Sequence, residues 1–386
     1  MKRLAIVHYD EIALKGKNRG FFERALVDNI QNKLGSEFDV KNSWGRIFVH
    51  NIDEVEDKLK EVLSTTPGVA TFGLGFSTTR RNLVVEEISE IAIKIAEDTQ
   101  FESFKISARR ADKTFPKTSN ELEREVGEIV FEHHKREKRV DLKKPDLEIV
   151  VEVLQKEVVV YAKQRSIGGL PVGSSGRAIA LLSGGFDSPV AAYMLAKRGV
   201  RPVCVHFHGM PKTSPAAVEK VRALACQLAR YTGKAELVLV PIVPAMQAIA
   251  RGAPAKLRIV LLRRVMLQIS ERLAKRYKAS AIITGDSVGQ VASQTLENLY
   301  AVGSATALPV LRPLCGFNKL EIIELAKEVG THDISVKPHD DTCSMFVPDK
   351  PETRAKMEEV LEAEKTYNVE EIIEAALTNM ESENCT

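Results

Sequence analysis

The second half of the chain alternates short apolar runs with longer stretches in which apolar residues recur every three or four positions. The first pattern is typical of buried β-strands and the second of helices that cover a sheet. The predicted strands are residues 178–182, 202–207, 237–240, 280–284 and 309–311. The predicted helices are residues 189–198, 216–231, 255–277 and 320–329, and more helix is predicted in the acidic tail after Pro351. Strands that alternate with helices imply parallel pairing and right-handed crossovers, so we predict a doubly wound α/β domain.

The first half carries both patterns in a less regular order, which predicts an α+β fold. Its predicted strands are residues 4–9, 46–49, 69–76, 104–108, 147–154 and 157–163. Its predicted helices are residues 19–34, 55–63, 84–98 and 121–136. This half is long enough for two small modules that divide near residues 53–61. The Gly-, Ser- and Pro-rich stretch at residues 166–176 cannot continue a helix or a central strand, so it is predicted to be a linker.

The sharpest local signal is Ser-Gly-Gly-Phe-Asp-Ser at residues 183–188. It follows the first predicted strand directly, and Pro189 then opens a helix, a position that proline favours. The glycines let backbone N–H groups approach an anion, and the helix N-terminus adds about half a positive charge. We therefore predict a phosphate-binding loop, the alternative being a tight turn with Ser and Asp caps. Its candidate phosphate contacts are Ser183, Gly184, Gly185, Asp187 and Ser188.

Asp187 is the unexpected member of this loop, because a carboxylate repels phosphate unless a cation lies between them. A divalent metal ion removes that conflict, and Mg²⁺ is the ion we expect. The sequence GxxxxGK[ST] of ordinary P-loop enzymes is absent, which argues against their chemistry.

The carboxyl ends of the other predicted strands offer further nucleotide contacts, since ligands of doubly wound sheets bind at that edge. His206 and Phe207 end the second strand and could flank a base, and residues 284–295 follow the fourth strand with glycines, amides and hydroxyls. Arg263 and the arginine after it could offer a guanidinium to phosphate. Two alternatives stay open: His206 and the histidine two positions later could chelate zinc, and an arginine pair on a helix is often a solvated face.

Composition and charge narrow the class of protein. The 386 residues include 55 Lys and Arg against 52 Asp and Glu, with 44 % apolar residues, so disorder throughout is excluded. The tail after Pro351 carries a net −7, which leaves about +10 elsewhere and fits a polyanionic partner. No apolar run approaches the ~20 residues of a membrane span, so no membrane partner is expected. Five cysteines without a C-x-x-C motif predict reduced thiols and a cytoplasmic location.

Cys343 has the surroundings most typical of a reactive thiol. It lies in a polar turn between two prolines, where a cysteine is accessible more often than in a core, although the neighbouring aspartates would raise its pKa. A catalytic role and an ordinary loop position both stay open for it. Cys204 and Cys226 have apolar neighbours and are expected in the core, and Cys385 falls in a tail expected to fray.

Two basic segments of the first half are candidates for nucleic-acid binding. Residues 11–22 form a basic, glycine-containing turn before a helix, and residues 105–117 combine bases with an aromatic residue and a proline. Loops of this kind can follow a sugar-phosphate backbone and stack on exposed bases. Ordinary solvated loops are the alternative for either segment alone. The candidate RNA contacts are Lys15, Lys17, Arg19, Arg109, Arg110 and Lys113.

Taken together, these motifs make the chain similar to the tRNA 4-thiouridine synthetases, the ThiI family. Ser-Gly-Gly-x-Asp-Ser after a strand resembles the PP-loop of ATP pyrophosphatases. The remaining motifs that carry the resemblance are residues 11–22 and 109–116 in the first half, and residues 168–173, 205–208, 262–266, 284–296, 312–314 and 341–343 in the second.

The resemblance implies a ferredoxin-like domain at residues 1–57, a THUMP RNA-binding domain at 58–166, a linker at 167–176 and a PP-loop ATP pyrophosphatase domain at 177–386. The first two domains would grip tRNA and present uridine 8, and ATP would adenylate O4 of that uracil. Besides the loop residues, the family pattern implies ATP contacts at Leu181, Leu182, His206, Phe207, Arg263, Gly285 and Gln294.

The resemblance also implies that a persulfide on Cys343 delivers sulfur to C4, directly or as hydrosulfide. Many family members carry a C-terminal rhodanese domain whose cysteine receives sulfur from a cysteine desulfurase. Because this sequence ends at Thr386, we expect Cys343 to be loaded directly or regenerated by another thiol, with Cys204 as the first candidate. The immediate sulfur donor and the oligomeric state, with a homodimer among the alternatives, stay open.

Two other functions stay open. Another PP-loop enzyme, such as a 2-thiouridylase or an amide-forming ligase, would leave the two basic segments without a task. A tRNA-binding module with an inert nucleotide site would retain RNA without turning over ATP, whereas intact Ser183, Asp187 and Cys343 argue for catalysis.

Overall fold

The computed structural model describes residues 1–43, 45–52, 55–80, 84–211, 214–338 and 346–385. The chain divides into two compact units, Met1–Pro171 and Val172–Thr386. Among the described residues, no helix combines the length and the apolar character that crossing a membrane would require.

The first unit is an α+β unit built on one mixed sheet. Its strands are β1 (Lys2–His8), β2 (Asp39–Ser43), β3 (Arg46–His50), β4 (Thr71–Thr79), β5 (Ser103–Arg110), β6 (Arg139–Val140), β7 (Leu147–Val153) and β8 (Glu157–Arg165). Its helices are α1 (Arg19–Leu34), α2 (Glu56–Ser64), α3 (Val85–Glu97) and α4 (Ser119–His133). Within the described residues the strand order is β2-β3-β1-β4-β8-β7-β5-β6.

Strand β1 is buried on both faces, which explains its nearly continuous apolar sequence. Ala5 and Val7 pack with side chains of α1 and α2, whereas Leu4 and Ile6 pack on the other face with Tyr161 of β8. The sheet continues across the predicted boundary between residues 57 and 58, because β4 pairs with β1 on one side and β8 on the other. That boundary stays a prediction.

Two glycines of β4 allow its neighbour β8 to approach closely. A Cβ on Gly73 would lie 2.0 Å from Cδ2 of Tyr161, and a Cβ on Gly75 would lie 1.9 Å from the carbonyl oxygen of Val160. Both distances are far below van der Waals contact, so any side chain at these positions has to push the two strands apart.

The second unit is the predicted doubly wound domain, and the α/β fold class is confirmed. Its strands are β9 (Arg177–Leu181), β10 (Arg201–His208), β11 (Ala235–Pro241), β12 (Ile282–Ile283), β13 (Val310–Leu311) and β14 (Glu381–Cys385). Its helices are α5 (Asp187–Lys197), α6 (Pro215–Thr232), α7 (Val243–Gly252), α8 (Arg258–Tyr277), α9 (Leu296–Gly303), α10 (Lys319–Val329), α11 (His332–Val336), α12 (Met357–Glu364) and α13 (Val369–Thr378).

The strand order of this sheet locates its ligand-binding edge. The order over the described residues is β13-β12-β9-β10-β11-β14, and β9 to β13 run parallel. The chain leaves β9 toward β10 on one side and later returns to β12 on the other. The topological switch point therefore lies between β9 and β12, where ligands of such sheets bind at the carboxyl ends of the strands.

The C-terminus differs from the prediction of a frayed tail. Residues Glu381–Cys385 form β14, which pairs antiparallel with β11 at the edge of the sheet, and Cys385 is buried. The sequence also did not predict α7, α9, α11, β2 or β6. These are short elements, and α7 lies within an apolar run that two prolines interrupt.

We predict that Gly75→Ala destabilises the protein by about 2 kcal/mol or more, because the added Cβ overlaps the backbone of β8. Gly127→Ala is the matched control, since its Cβ would lie 3.7 Å from Ile106 and Gly127 is in the interior of α4. That substitution should stabilise the helix by up to about 1 kcal/mol. Thermal unfolding followed by circular dichroism measures both, and equal melting temperatures for the two variants would contradict the packing argument.

Candidate functional site

The Ser-Gly-Gly-Phe-Asp-Ser stretch forms a closed loop between the end of β9 and the start of α5. The backbone N–H of Ser183 donates to Oγ of Ser188 at 2.8 Å, and the two hydroxyls lie 3.0 Å apart. Helix α5 begins at Asp187 with its N-terminus at this loop. The five predicted phosphate contacts therefore lie together at the carboxyl end of β9, beside the switch point.

Asp187 is held by two side chains from distant parts of the chain. Lys319, at the start of α10, donates to one carboxylate oxygen at 2.6 Å, and Gln290 donates to the other at 2.9 Å. The Lys319 ammonium also lies 5.3 Å from the centroid of the Phe186 ring. The carboxylate is thus paired with a cation beside the loop.

The loop that follows β12 packs directly on the first turn of α5. A Cβ on Gly285 would lie 2.7 Å from the backbone N of Ser188 and 2.8 Å from the carbonyl carbon of Asp187. Only glycine permits this approach. Gly285 therefore brings residues 284–295 against the phosphate-binding loop, as the sequence pattern predicted for a nucleotide site.

Asp286 anchors two arginines in the nucleotide crevice, the space between the phosphate-binding loop and residues 284–295. Its carboxylate is 2.5 Å from Arg263 and 3.3 Å from Arg312, and it accepts a hydrogen bond from Thr284 at 2.8 Å. Burial alone would raise the pKa of Asp286, but the adjacent Arg263 guanidinium and the Thr284 hydrogen bond lower it. Two guanidiniums share one carboxylate, so the cluster keeps a surplus positive charge at the ligand-binding edge.

Gln294 completes this cluster. Its amide nitrogen lies 3.4 Å from Asp286, and its amide oxygen is buried without a hydrogen-bond partner among the described residues. A buried acceptor without a partner is costly, which favours a ligand that donates a hydrogen bond here. The arginine after Arg263 has a different role: Arg264 is buried and binds Glu364, so it is part of the core.

His206 and Phe207 lie at the end of β10, and both are mostly buried. Nδ1 of His206 lies 2.9 Å from the carbonyl oxygen of Leu182 and ties β10 to the phosphate-binding loop. The Phe207 ring packs in the domain core, so little of it is left to flank a base as predicted. Within the described ranges no three His, Cys, Asp or Glu side chains are placed to hold a metal ion, so the zinc alternative gains no support.

Cys343 lies outside the described residues, as do its neighbours from 339 to 345. The described chain before it packs on the phosphate-binding loop: the Ser335 hydroxyl donates to the Gly185 carbonyl at 3.3 Å, and the His332 and Phe186 rings are 5.6 Å apart. After the gap, Phe346 contacts the guanidinium of Arg258 at the start of α8.

Two of the other cysteines differ in solvent exposure from what the sequence predicted. Cys226, expected in the core, is exposed, and Cys385, expected in a frayed tail, is buried in β14. Cys204 is fully buried in the middle of β10, and burial raises the pKa of its thiol to about 12. A thiol held protonated and away from solvent is a poor nucleophile, which weighs against Cys204 as the second thiol.

The two basic segments of the first unit converge through a chain of contacts. The Arg19 guanidinium lies against Gly45, where an added Cβ would be 2.5 Å from Nη2. The next residue, Arg46, pairs with the fully buried carboxylate of Glu152 at 2.5 Å. Glu152 in turn pairs in register with Arg109 on the neighbouring strand. The structure therefore places Arg19 and Arg109 at the same part of the sheet.

The six candidate RNA contacts differ in how free they are to bind a ligand. Lys17, Arg109 and Lys113 are exposed. Arg110 donates to the carbonyl oxygens of Phe115 and Lys117 at 3.2 and 2.9 Å, so its guanidinium holds the loop that carries Lys113. Lys15 lies 5.1 Å from the Phe22 ring, and Arg19 binds Glu23 and Tyr9.

Several side chains of the nucleotide crevice are not predicted by the sequence. Lys319 is 132 residues from Asp187 along the chain. A lysine at the start of a helix is typical of an exposed surface, so the sequence does not predict its contact with Asp187. The motifs at residues 284–296 and 312–314 include Asp286, Gln290 and Arg312. These motifs do not indicate which side chain each of the three residues contacts.

Three family models match the chain. "Thiamine biosynthesis protein (ThiI)" matches residues 173–369, "ThiI ferredoxin-like domain" residues 4–73, and "THUMP domain" residues 84–163. A probable tRNA sulfurtransferase of Caldanaerobacter subterraneus subsp. tengcongensis is 41 % identical over 382 residues, covering 97 % of this chain and 98 % of that protein. Another from Geobacillus kaustophilus is 39 % identical, covering 98 % of this chain and 94 % of the relative.

Solved structures agree with these matches. A crystal structure of a 4-thiouridine synthetase–RNA complex with bound ATP superimposes with a TM-score of 0.90, at 37 % identity, over 100 % of both chains. PH1313 from Pyrococcus horikoshii Ot3 shares the fold with a TM-score of 0.64 at 24 % identity, over 85 % of this chain and 99 % of that chain. With a family model over more than half of its length and similar relatives along nearly all of it, this chain belongs to the ThiI family.

Proposed function

We propose that this protein is an ATP-dependent tRNA sulfurtransferase that converts uridine 8 of tRNA to 4-thiouridine, with release of AMP and pyrophosphate. The observation that carries the proposal is the phosphate-binding loop of β9 and α5, packed against Gly285 at the switch point of the sheet. The related 4-thiouridine synthetase, solved with RNA and ATP, supports the same ligands here.

The first half-reaction joins the uracil O4 atom to the α-phosphate of ATP. The loop N–H groups and the N-terminus of α5 favour the triphosphate. Negative charge develops around the α-phosphate and the leaving pyrophosphate, and positive groups already in place stabilise it without reorganisation. Three cations of the described residues lie at this edge: Arg263 and Arg312, held by Asp286, and Lys319, held by Asp187.

The donor set fits a magnesium ion in this proposal. Mg²⁺ is usually bound by one or two carboxylates together with substrate phosphates, and Asp187 supplies one carboxylate beside the loop. Its present partners, Lys319 and Gln290, are side chains that a metal and phosphates can displace. A bound Mg²⁺ would supply charge neutralisation for the pyrophosphate that leaves.

The second half-reaction replaces the adenylated oxygen by sulfur. The terminal sulfur of a Cys343 persulfide bonds to C4, the C4–O4 bond breaks, and O4 departs as part of AMP. A second thiolate then attacks Sγ of Cys343 and breaks the S–S bond, which leaves the sulfur on C4 and forms a disulfide that an external dithiol reduces. In this proposal a cysteine desulfurase loads Cys343, and a thiol other than the buried Cys204 regenerates it. The oligomeric state is a separate part of the proposal. We propose a homodimer, and light scattering tests it.

The first unit binds the tRNA in this proposal. Arg19, Arg46 and Arg109 are connected through Gly45 and Glu152, which fixes cations of two segments at one part of the sheet. Phosphate contacts of this kind position an RNA without reading its sequence.

We predict that Asp187→Ala lowers tRNA-dependent AMP formation by at least about a hundredfold, a loss of roughly 3 kcal/mol in the transition state. The substitution removes the carboxylate that holds the metal and Lys319. AMP release from labelled ATP measures the effect, with the exposed Asp349→Ala as the control. Unchanged AMP formation in the Asp187 variant would show that this loop does not carry the chemistry.

Cys343→Ser should still release pyrophosphate in the presence of tRNA but should produce no 4-thiouridine, because a serine cannot form a persulfide. The matched control is Cys226→Ser, which removes an exposed thiol of the same unit. Nucleoside mass spectrometry of the tRNA reports the product. Retained thiolation in the Cys343 variant would remove this cysteine from the mechanism.

The double variant Arg109→Ala and Lys113→Ala should weaken tRNA binding and reduce the slope of log K against log salt by about 2, if each residue contacts one phosphate. Arg110→Ala should instead lower thermal stability, because its guanidinium holds backbone carbonyls. Filter binding at several salt concentrations tests the double variant, and thermal unfolding tests Arg110→Ala. A double variant with the wild-type slope would move the RNA-binding surface elsewhere.

A further inference from the structure

Helix α6 holds the α10–α11 segment through side chains that donate to backbone carbonyls. Gln227 donates to the carbonyl oxygen of Val329 at 2.7 Å, and the Tyr231 hydroxyl lies 3.3 Å from the same oxygen. Both contacts are at the end of α10. A third contact, made by Lys220, lies further along the segment, where the chain approaches Cys343.

Lys220 is a buried lysine of α6, and its ammonium lies at the end of α11. Its side chain is 6 % exposed, and its ammonium donates to the carbonyl oxygens of Ser335 at 2.7 Å and Lys337 at 2.5 Å. Burial lowers its pKa. Burying an ammonium is costly, and the last carbonyls of a helix are the backbone groups that favour a cation.

The turn that Lys220 holds is also in contact with the phosphate-binding loop. Ser335 accepts from Lys220 through its carbonyl oxygen and donates through its hydroxyl to the carbonyl oxygen of Gly185. Cys343 follows Lys337 by six residues, which span at most about 20 Å. Lys220 therefore fixes the described chain that precedes the cysteine, at a turn that also contacts the phosphate-binding loop.

We propose that Lys220 is a positioning residue for the sulfur-transfer half-reaction. The inference rests on the proposed function, since it assigns Lys220 a task in the same site. Once O4 is adenylated, C4 can be attacked by sulfur or by water. Sulfur gives 4-thiouridine and AMP, whereas water restores uridine and releases AMP without product. Lys220 fixes the start of the cysteine-bearing segment, so that sulfur attack is faster than attack by water.

The ratio of 4-thiouridine formed to AMP released separates this task from a purely structural one. Lys220→Met keeps the apolar stem and removes the ammonium, and we expect its ratio to fall about tenfold while AMP formation stays within about twofold of wild type. Gln227→Leu is the matched control, because it removes a tie from the same helix to the same segment without touching the turn at Ser335. It should lower the melting temperature but keep the wild-type ratio.

Ser335→Ala keeps the test decisive if Lys220→Met does not fold. It removes only the hydroxyl that joins this turn to Gly185, and its ratio should fall two- to threefold. A wild-type ratio in Ser335→Ala and in any folded Lys220→Met, or an equal fall in Gln227→Leu, would overturn the inference and leave the proposed function intact. A wild-type protein that forms no 4-thiouridine would overturn the proposed function, and the inference with it.

Discussion

The contact of Gly285 with the first turn of α5 is the constraint on which the nucleotide crevice depends. The two loops that meet there leave β9 and β12, the strands on either side of the switch point. A side chain at position 285 would separate them, because its Cβ would lie 2.7 Å from a backbone nitrogen. The absence of a side chain lets the loop that carries Asp187 approach the loop that carries Asp286.

The two aspartates organise the cations of the crevice in different ways. Asp286 is buried and carries two arginines, so it fixes positive charge in position before any ligand arrives. Asp187 is partly exposed and carries one lysine, which would be released toward a phosphate if a metal ion took its place, as in the proposed function. The first arrangement provides a rigid electrostatic field, and the second provides a charge that can be exchanged. Together they suit a reaction in which pyrophosphate must bind and then leave.

Features set by neighbouring residues were predictable from the sequence, and features set by distant pairing were not. The glycine loop and the strands around it follow from local pattern, as does α1, whose bounds match the prediction. β14 has the sequence Glu-Ser-Glu-Asn-Cys, which is a strand because β11 offers it an unpaired edge. Lys319 and Lys220 contact residues that are more than 100 positions away in the sequence, so no local spacing predicts those contacts.

In the proposed reaction, ATP activates the O4 atom of the uracil before sulfur replaces it. The most direct measurement uses tRNA with ¹⁸O at O4 of uridine 8, incubated with the protein, ATP, Mg²⁺ and a sulfide source. Mass spectrometry should find the label in the phosphate group of AMP, in at least the amount of 4-thiouridine formed. Label in inorganic phosphate or in water, with unlabelled AMP, would contradict adenylation of O4.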